Sequence, residues 1–447
     1  MTFGNLDWNI PGGTSKTVLV RVDLSNNTAS GTDGDNYAFD IAATGDVTSL
    51  DVDSNTVNPT AAKVNGTVAT PTQVLTVKNS GSMTLATSAN SPSKGAVYWG
   101  QVNAPISKFR LSATDEGQYI EKLTIAASAA TEATDAVANV KEVILTYKNK
   151  AGNTLTTTQS LGSGASANFN WATTDANRPY VPQDSSLEIG VNANMKTKSE
   201  GATQKNDAPQ EVFFSLDLVD SYNNSLTDGF RAIGDGSGTV LDGSSANIVD
   251  VYGANDQYVY RVFPKIDVVP LAGPYSLSGT PTVFKFSITA MGLPDSNLRF
   301  ENLGSGASGS IKFEILSSGS EGGGDSSITT YDDSNSEVID TATLTDDTDS
   351  DTDASYSMDF TSKIIEIQGG ETKTFRIQLD GTAKYAKTSS TGRAADYFQV
   401  VLRDTSTDDT ALVQWVANYS GANTAVDQAS VAGVLRSMPL FGPNFTR

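Results

Sequence analysis

Apolar and polar residues alternate along most of this chain in short runs, as in Val74–Val77, Lys122–Ile125, Ile364–Ile367 and Phe375–Leu379. A period of two places one side of each run on a core and the other in water, which is the pattern of half-buried β-strands. Clusters of Gly, Asn, Asp and Ser separate the runs, for example Asn149–Asn153 and Gly234–Gly238, and these residues suit tight turns. One stretch departs from the pattern. Ala126–Val140 is Ala-rich but carries Ser, Thr and Asp, so it fits a loop or one short helix equally well. The expectation is an all-β protein of tandem immunoglobulin-like β-sandwich units joined by short Pro/Gly linkers.

The strands recur in matched order. The turn and strand Ile10–Leu24 reappears as Ile367–Asp380, with a weaker copy at Val181–Val191. Each copy is followed by a second strand, at Tyr37–Ile41, Tyr397–Leu402 and Val212–Leu218. A second repeat lies between them: Lys108–Ala113 (Lys-Phe-Arg-Leu-Ser-Ala) matches Lys285–Ala290 (Lys-Phe-Ser-Ile-Thr-Ala). Downstream of these, Val140–Leu145 aligns with Ile311–Leu316. Self-similarity of this kind marks an array of like domains.

The repeats divide the chain into a partial unit at 1–96, full units at 97–266 and 267–436, and a C-terminal linker or donor segment at 437–447. The surplus length of each unit is expected in loops at 196–206, 319–325 and 341–355. Val269–Pro274 and Met438–Pro443 are spelled alike, so the last residues read as the opening of a further unit. The first unit lacks a Lys-Phe-x-Leu-Ser-Ala strand, and an uncovered edge of that kind templates pairing with another chain. The expected partner is therefore a second copy, joined head to tail. Val434, Leu435, Met438, Leu440, Phe441 and Phe445 would make the apolar assembly segment.

Charge narrows the partners further. The formal net charge is −21, which repels phosphate backbones and anionic lipid. No nucleic-acid binding is expected. No membrane insertion is expected either, since no apolar run reaches the length of a spanning helix. The chain has no cysteine and no histidine, which removes disulfides, thiolate nucleophiles, His-based triads and His-ligated zinc. No Gly-x-Ser-x-Gly elbow is present. The Gly-rich Leu303–Gly309 lacks the Lys of a phosphate loop. The expected role is non-catalytic.

Two residue sets remain. Asp347, Asp349, Asp351 and Asp353 alternate in an acidic run and form a candidate Ca²⁺ site, because calcium takes six to eight oxygens at flexible geometry. The competing reading is a solvated acidic loop. Sequons at Asn26, Asn65, Asn223, Asn418 and Asn444 are candidate glycosylation sites. The tryptophans Trp8, Trp99, Trp171 and Trp415 suit core packing in successive sandwiches better than sugar stacking.

The Ile10–Thr17 segment and the Lys108–Thr114 strand give the chain a resemblance to repetitive β-sandwich cell-surface proteins of uncultured bacteria or archaea. Those are surface-layer-like proteins or extracellular filaments and adhesins. The resemblance implies an extracellular or cell-surface, self-assembling protein and transfers no functional residues. The function expected is a structural subunit of a surface layer or filament. The alternative is an adhesin or carbohydrate-binding protein whose partners are cell-surface glycans. A Ca²⁺ site at 347–353 predicts that excess chelator lowers the melting temperature, since a ligand bound only to the native state stabilises it by mass action. An unchanged melting curve assigns the loop to solvent.

Overall fold

The computed structural model describes residues 8–17, 19, 21, 34–38, 47–57, 74–78, 80–127, 130–203, 210–219, 229–276, 279–301, 310–317, 326–344, 354–360, 363–379, 397–405, 412–418, 426–428 and 433–446. The chain divides into two compact units, Met1–Gly81 and Ser82–Arg447. In the first, β1 (Asn36–Ala38) pairs antiparallel with β4 (Val74–Thr76), and β2 (Ser49–Leu50) with β3 (Thr56–Val57). The described residues Trp8–Thr17 of the first repeat copy form a turn without a strand.

The second unit contains two sandwiches. The first begins with β5 (Ser82–Thr87), β6 (Gly95–Tyr98), β7 (Ala104–Thr114) and β8 (Gln118–Ala126). Next come α1 (Ala130–Asn139), β9 (Val140–Lys148), β10 (Thr154–Ser160), β11 (Ser166–Asn170), β12 (Tyr180–Val181) and β13 (Ser185–Met195). It closes with β14 (Gln210–Val212), β15 (Ser215–Leu216), β16 (Phe230–Gly234), β17 (Val240–Asp242) and β18 (Gln257–Tyr260). One sheet runs β10-β9-β13-β7-β5 and the other β11-β8-β16-β17. Phe109, Leu145 and Ile189 of the first sheet share a core with Leu123, Phe169 and Phe230 of the second. Alternation is clearest in β13, where Leu187, Ile189, Val191 and Ala193 are buried between more exposed neighbours.

Helix α1 resolves the ambiguous Ala-rich stretch, and a buried carboxylate holds it. Asp135 on the helix accepts hydrogen bonds from Gln210 Nε2 and the Glu211 backbone N–H of β14. Asn139 donates to the Asp135 carbonyl, so the last turn is tied to both the helix and the sheet.

The second sandwich comprises β19 (Val262–Val268), β20 (Thr282–Gly292), β21 (Asn297–Phe300), β22 (Ser310–Ser317), β23 (Ser326–Asp332), β24 (Glu337–Leu344) and β25 (Ala354–Asp359). It continues with β26 (Ile365–Gln368), β27 (Thr372–Leu379), β28 (Tyr397–Leu402), β29 (Gln414–Asn418), β30 (Val426–Gln428), β31 (Leu440–Phe441) and β32 (Phe445–Thr446). Its sheets run β19-β20-β27-β23-β24, β26-β21-β29-β30 and β25-β22-β28-β31. Phe284, Phe286, Phe313 and Phe375 interlock in the core, with neighbouring ring centroids 5.4–5.9 Å apart. The molecule is all-β apart from α1 and a single 3-10 turn among the described residues.

The repeats explain the pairing. Lys108–Ala113 in β7 lies beside Ser185–Gly190 in β13, and Lys285–Thr289 in β20 lies beside Thr372–Arg376 in β27. Each front-half strand is thus bonded to its own back-half strand. The alignment of Val140–Leu145 with Ile311–Leu316 does not survive. The first lies in β9, in the same sheet as β7, whereas β22 lies in a different sheet from β20. By position the counterpart of the β9–β10 hairpin is β23–β24, and β22 is an additional strand where the first sandwich has α1. Period two specifies a half-buried strand but not which sheet receives it.

Strand β5 precedes the expected boundary at 97 and β6 straddles it, yet Met83 and Leu85 of β5 belong to the first core. Residues expected in a loop, Thr341–Leu344 and Ala354–Ser355, instead extend β24 and β25.

Candidate functional site

The place where the two sandwiches meet is built by one small sheet, β14-β18-β6, in which β18 and β6 run parallel. All four residues of β18 are buried. Its alternating side chains go to different cores: Val259 lies in the first, and Tyr258 and Tyr260 lie in the second. Strand β6 divides in the same way, with Val97 in the first core and Ala96 packed on the second. A strand buried on both faces reads as continuously apolar rather than alternating, and Tyr258-Val259-Tyr260 reads so.

Directional bonds fix the joint. The Trp99 backbone N–H donates to the Tyr260 carbonyl at 3.0 Å. Trp415, wholly buried, donates from Nε1 to the Val262 carbonyl at 2.8 Å and lies against Tyr260 with centroids 5.1 Å apart. Gly100 has φ +76, and a Cβ there would lie 2.7 Å from Leu293 Cδ1 of the second sandwich. Only glycine allows that approach with that backbone.

The residues expected to assemble with a neighbouring molecule are used inside the chain. Val434 and Leu435 are buried in the second core, and the Ala96 N–H donates to the Val434 carbonyl at 2.9 Å. Arg436 then reaches the β6 approach, donating to the carbonyls of Ser93 and Lys94 and to Gln257 Oε1. Leu440 and Phe441 form β31 on Leu402 and Val401, and Phe445 pairs with Phe398 and is buried. Met438 packs on the same core. Asp404 anchors the segment by accepting from the Gly433 N–H at 2.6 Å. The expected donor segment therefore completes its own sandwich.

A second constellation sits at one end of the first sandwich, on residues that carried no sequence motif. The register Tyr180↔Tyr119 sets these two rings 4.9 Å apart. The β9–β10 turn, pinned by Asn149, brings Lys150 over both rings, at 5.4 and 5.3 Å from their centroids. Asp235, just after β16, accepts from Lys150 Nζ at 2.6 Å and from Tyr180 OH at 3.0 Å. Behind them Glu121 is buried between Arg178 at 2.8 Å and Arg231 at 2.9 Å, and Arg178 stacks 4.1 Å above Tyr119. Trp171 is half-buried, edge-on to Tyr147, and donates to its hydroxyl at 3.0 Å. Burial raises the Asp235 carboxyl, but the hydrogen bonds from Lys150 and Tyr180 outweigh it and leave the group below its ordinary range. The hydrogen bond to Asp235 holds Lys150 above its ordinary value. The result is an aromatic rim with fixed donors and acceptors of both charges.

Asp347, Asp349, Asp351 and Asp353 lie outside the described residues, as do Asn26, Asn65 and Asn223. Asn444 is exposed between β31 and β32, and Asn418 ends β29 opposite Asn297. Among the described residues no cluster of three or more acidic side chains is placed to hold a metal. Asp332 serves its own turn, accepting from the Ser334 N–H and hydroxyl, and Asp333 is paired with Lys285 and Arg376. No helix among the described residues is long and apolar enough to cross a membrane, a statement that leaves β-barrels aside.

No protein-family model and no curated protein sequence matches the chain. Among solved structures, the C-terminal domain of the Streptococcus pyogenes antigen I/II-family protein AspA is similar at 9% identity, over 81% of this chain and 98% of that one, with a TM-score of 0.20. A biofilm-associated protein BSP domain is similar at 10% identity over 82% and 66%, TM-score 0.20. The Streptococcus agalactiae BspA C-terminal domain is similar at 7% identity over 77% and 98%, TM-score 0.18. Likeness at this level carries no inference about function.

Two outcomes follow from the joint and the C-terminal run. Deleting 437–447 strips β28 of β31 and β32 and removes the buried Phe445. Denaturation should show the second sandwich weakened by at least about 3 kcal/mol, the scale of losing a buried Phe side chain; an unchanged stability would contradict the role in cis. Burial, reinforced by the negative charges of Glu211 and Asp256, pushes the Tyr258 phenol from 10.0 up to about 12. Its native pKa lies above the unfolded one, so its contribution to stability is complete below pH 10 and is lost as pH rises through about 12. Ultraviolet titration of the protein against Tyr258→Phe should show that the variant lacks a late-ionising phenol.

Proposed function

We propose that the protein is a non-catalytic structural subunit of an extracellular surface structure, a surface layer or a filament. The observation that carries this reading is the β6–β18 sheet, whose alternate side chains belong to two cores. Sandwiches joined by a flexible linker move independently, whereas here hinging would pull Tyr258 and Tyr260 or Val97 and Val259 out of a packed interior. A stiff body that keeps neighbouring domains at a fixed angle suits a repeating assembly. Its acidity keeps a large β protein soluble before assembly. In this reading the buried Val434, Leu435 and Phe445 serve the chain's own core, and contacts between copies use exposed surfaces.

A second reading, an adhesin that binds cell-surface glycans, is favoured by the Tyr119–Tyr180–Lys150–Asp235 cluster, which gathers aromatic rings with fixed hydrogen-bond donors and acceptors at one end of the sandwich. Electron microscopy of the purified protein across a concentration series, with a glycan array alongside, separates the two. The structural reading expects the two sandwiches at one constant angle in every particle and particles that pack into ordered sheets or fibres. Sandwiches at variable angles, or dispersed particles at every concentration, would sink it. Glycan binding that is lost in Tyr180→Ala would then transfer the assignment to the adhesin.

A further inference from the structure

The two sandwiches present equivalent sheets with differently finished edges. Starting from the strand that carries the Lys-Phe repeat, the first runs β7-β13-β9-β10 and the second β20-β27-β23-β24. Strand β24 ends its sheet with Glu337 and Asp340, and a bulge interrupts its pairing at Thr330/Tyr331. The opposite edge of that sheet, β19, contains Pro264, Lys265 and Asp267. Charge, proline and bulges are the devices by which sheets block edge-to-edge pairing. Strand β10 has none of them. It reads Thr-Leu-Thr-Thr-Thr-Gln-Ser, and its seven residues pair with β9 in unbroken register from Thr154↔Lys148 to Ser160↔Glu142. No described strand pairs with its outer side, and Thr154, Thr156, Thr158, Gln159 and Ser160 are exposed. The other edge of the sheet, β5, is shorter, and its final residue Thr87 is tied to the Tyr252 carbonyl.

We propose that β10 is a self-association edge, which pairs antiparallel with β10 of a second copy about a two-fold axis at Thr157 and joins two sheets into one. This rests on the structural reading above and gives it a lateral contact.

Three observations choose a second copy as the occupant. An isologous contact needs a self-complementary surface, and overlap of all seven residues sets Thr156 opposite Thr158 and Thr154 opposite Ser160. Such pairs are compatible across strands. The edge is neutral in a chain of net charge −21, so it is a place where two acidic molecules meet without opposing charges in the ladder. The flanking charges also alternate correctly. Lys148, beside Thr154 on β9, falls in the same cross-strand row as Glu142 beside Ser160 of the second copy, and the reverse holds at the other end.

The test uses the intact chain and sedimentation up to about 1 mM, a range that captures weak specific contacts. Thr156→Lys/Thr158→Lys places like charges opposite one another, and should weaken dimerisation at least about tenfold without changing the circular dichroism spectrum. Thr156→Glu/Thr158→Glu should do the same. Mixing the two variants should restore dimers as a heterodimer, which a folding defect would not do. If the parent chain associates and both variants associate equally well, the β10 edge is refuted and the assembly reading stands on other contacts. If the parent chain stays monomeric throughout, both fail.

Discussion

Everything in the second unit depends on a strand of four residues being buried on both sides. Strand β18 is a border that belongs to two interiors: Val259 completes the first core, while Tyr258 and Tyr260 complete the second. Large apolar side chains committed in opposite directions make hinging costly, because any opening exposes aromatic surface on one side or a valine pocket on the other. The parallel partner β6 and the Trp99 and Ala96 backbone hydrogen bonds add directionality to what burial alone would leave free to slide. Two sandwiches thus behave as one body.

The C-terminal run follows from that border. Residues Val434–Arg436 reach β6 across more than three hundred positions of sequence, and Arg436 ties the Ser93–Lys94 backbone to Gln257 of β18. An apolar tail without a visible partner reads as an intermolecular donor when only sequence order is considered. The fold supplies the missing partner, since β28 offers an open edge and the joint offers a cleft in the same molecule. Loop closure costs grow only logarithmically with length, so the separation that made the pairing invisible in the sequence is no obstacle to it.

Strand content and sandwich architecture were legible, and the repeats marked the strands that the structure pairs. Lys108–Ala113 and Lys285–Ala290 recur because each must match the alternation of a specific back-half strand, β13 or β27. Two features were not. Ile311–Leu316 mimics Val140–Leu145 in period, yet an inserted strand occupies the place that α1 fills in the first sandwich, and period two is blind to that. The aromatic rim draws on Tyr119, Lys150, Trp171, Arg178, Tyr180 and Asp235, from five separate stretches of chain. Its one local signal, Arg178-Pro-Tyr180 ahead of the Val181 repeat, becomes meaningful only when β12 is laid against β8. The acidic run 347–353 and three of the five sequons fall outside the described residues.

Net charge and edge chemistry together constrain how such a body can meet its like. Repulsion between surfaces carrying an excess of carboxylates is screened over about 8 Å at physiological ionic strength, so it acts mainly at close approach. It penalises broad face-to-face contact more than contact along a narrow neutral line. Sheet edges supply such lines, and their backbone groups give specificity without side-chain charge. The second sandwich spends Glu337, Asp340, Pro264, Lys265 and Asp267 on closing its edges. With the same architecture, the first sandwich leaves its equivalent edge in threonine. Of two equivalent edges the chain closes one with charge and leaves the other neutral, and along the neutral one a second acidic copy meets no opposing charge in the ladder.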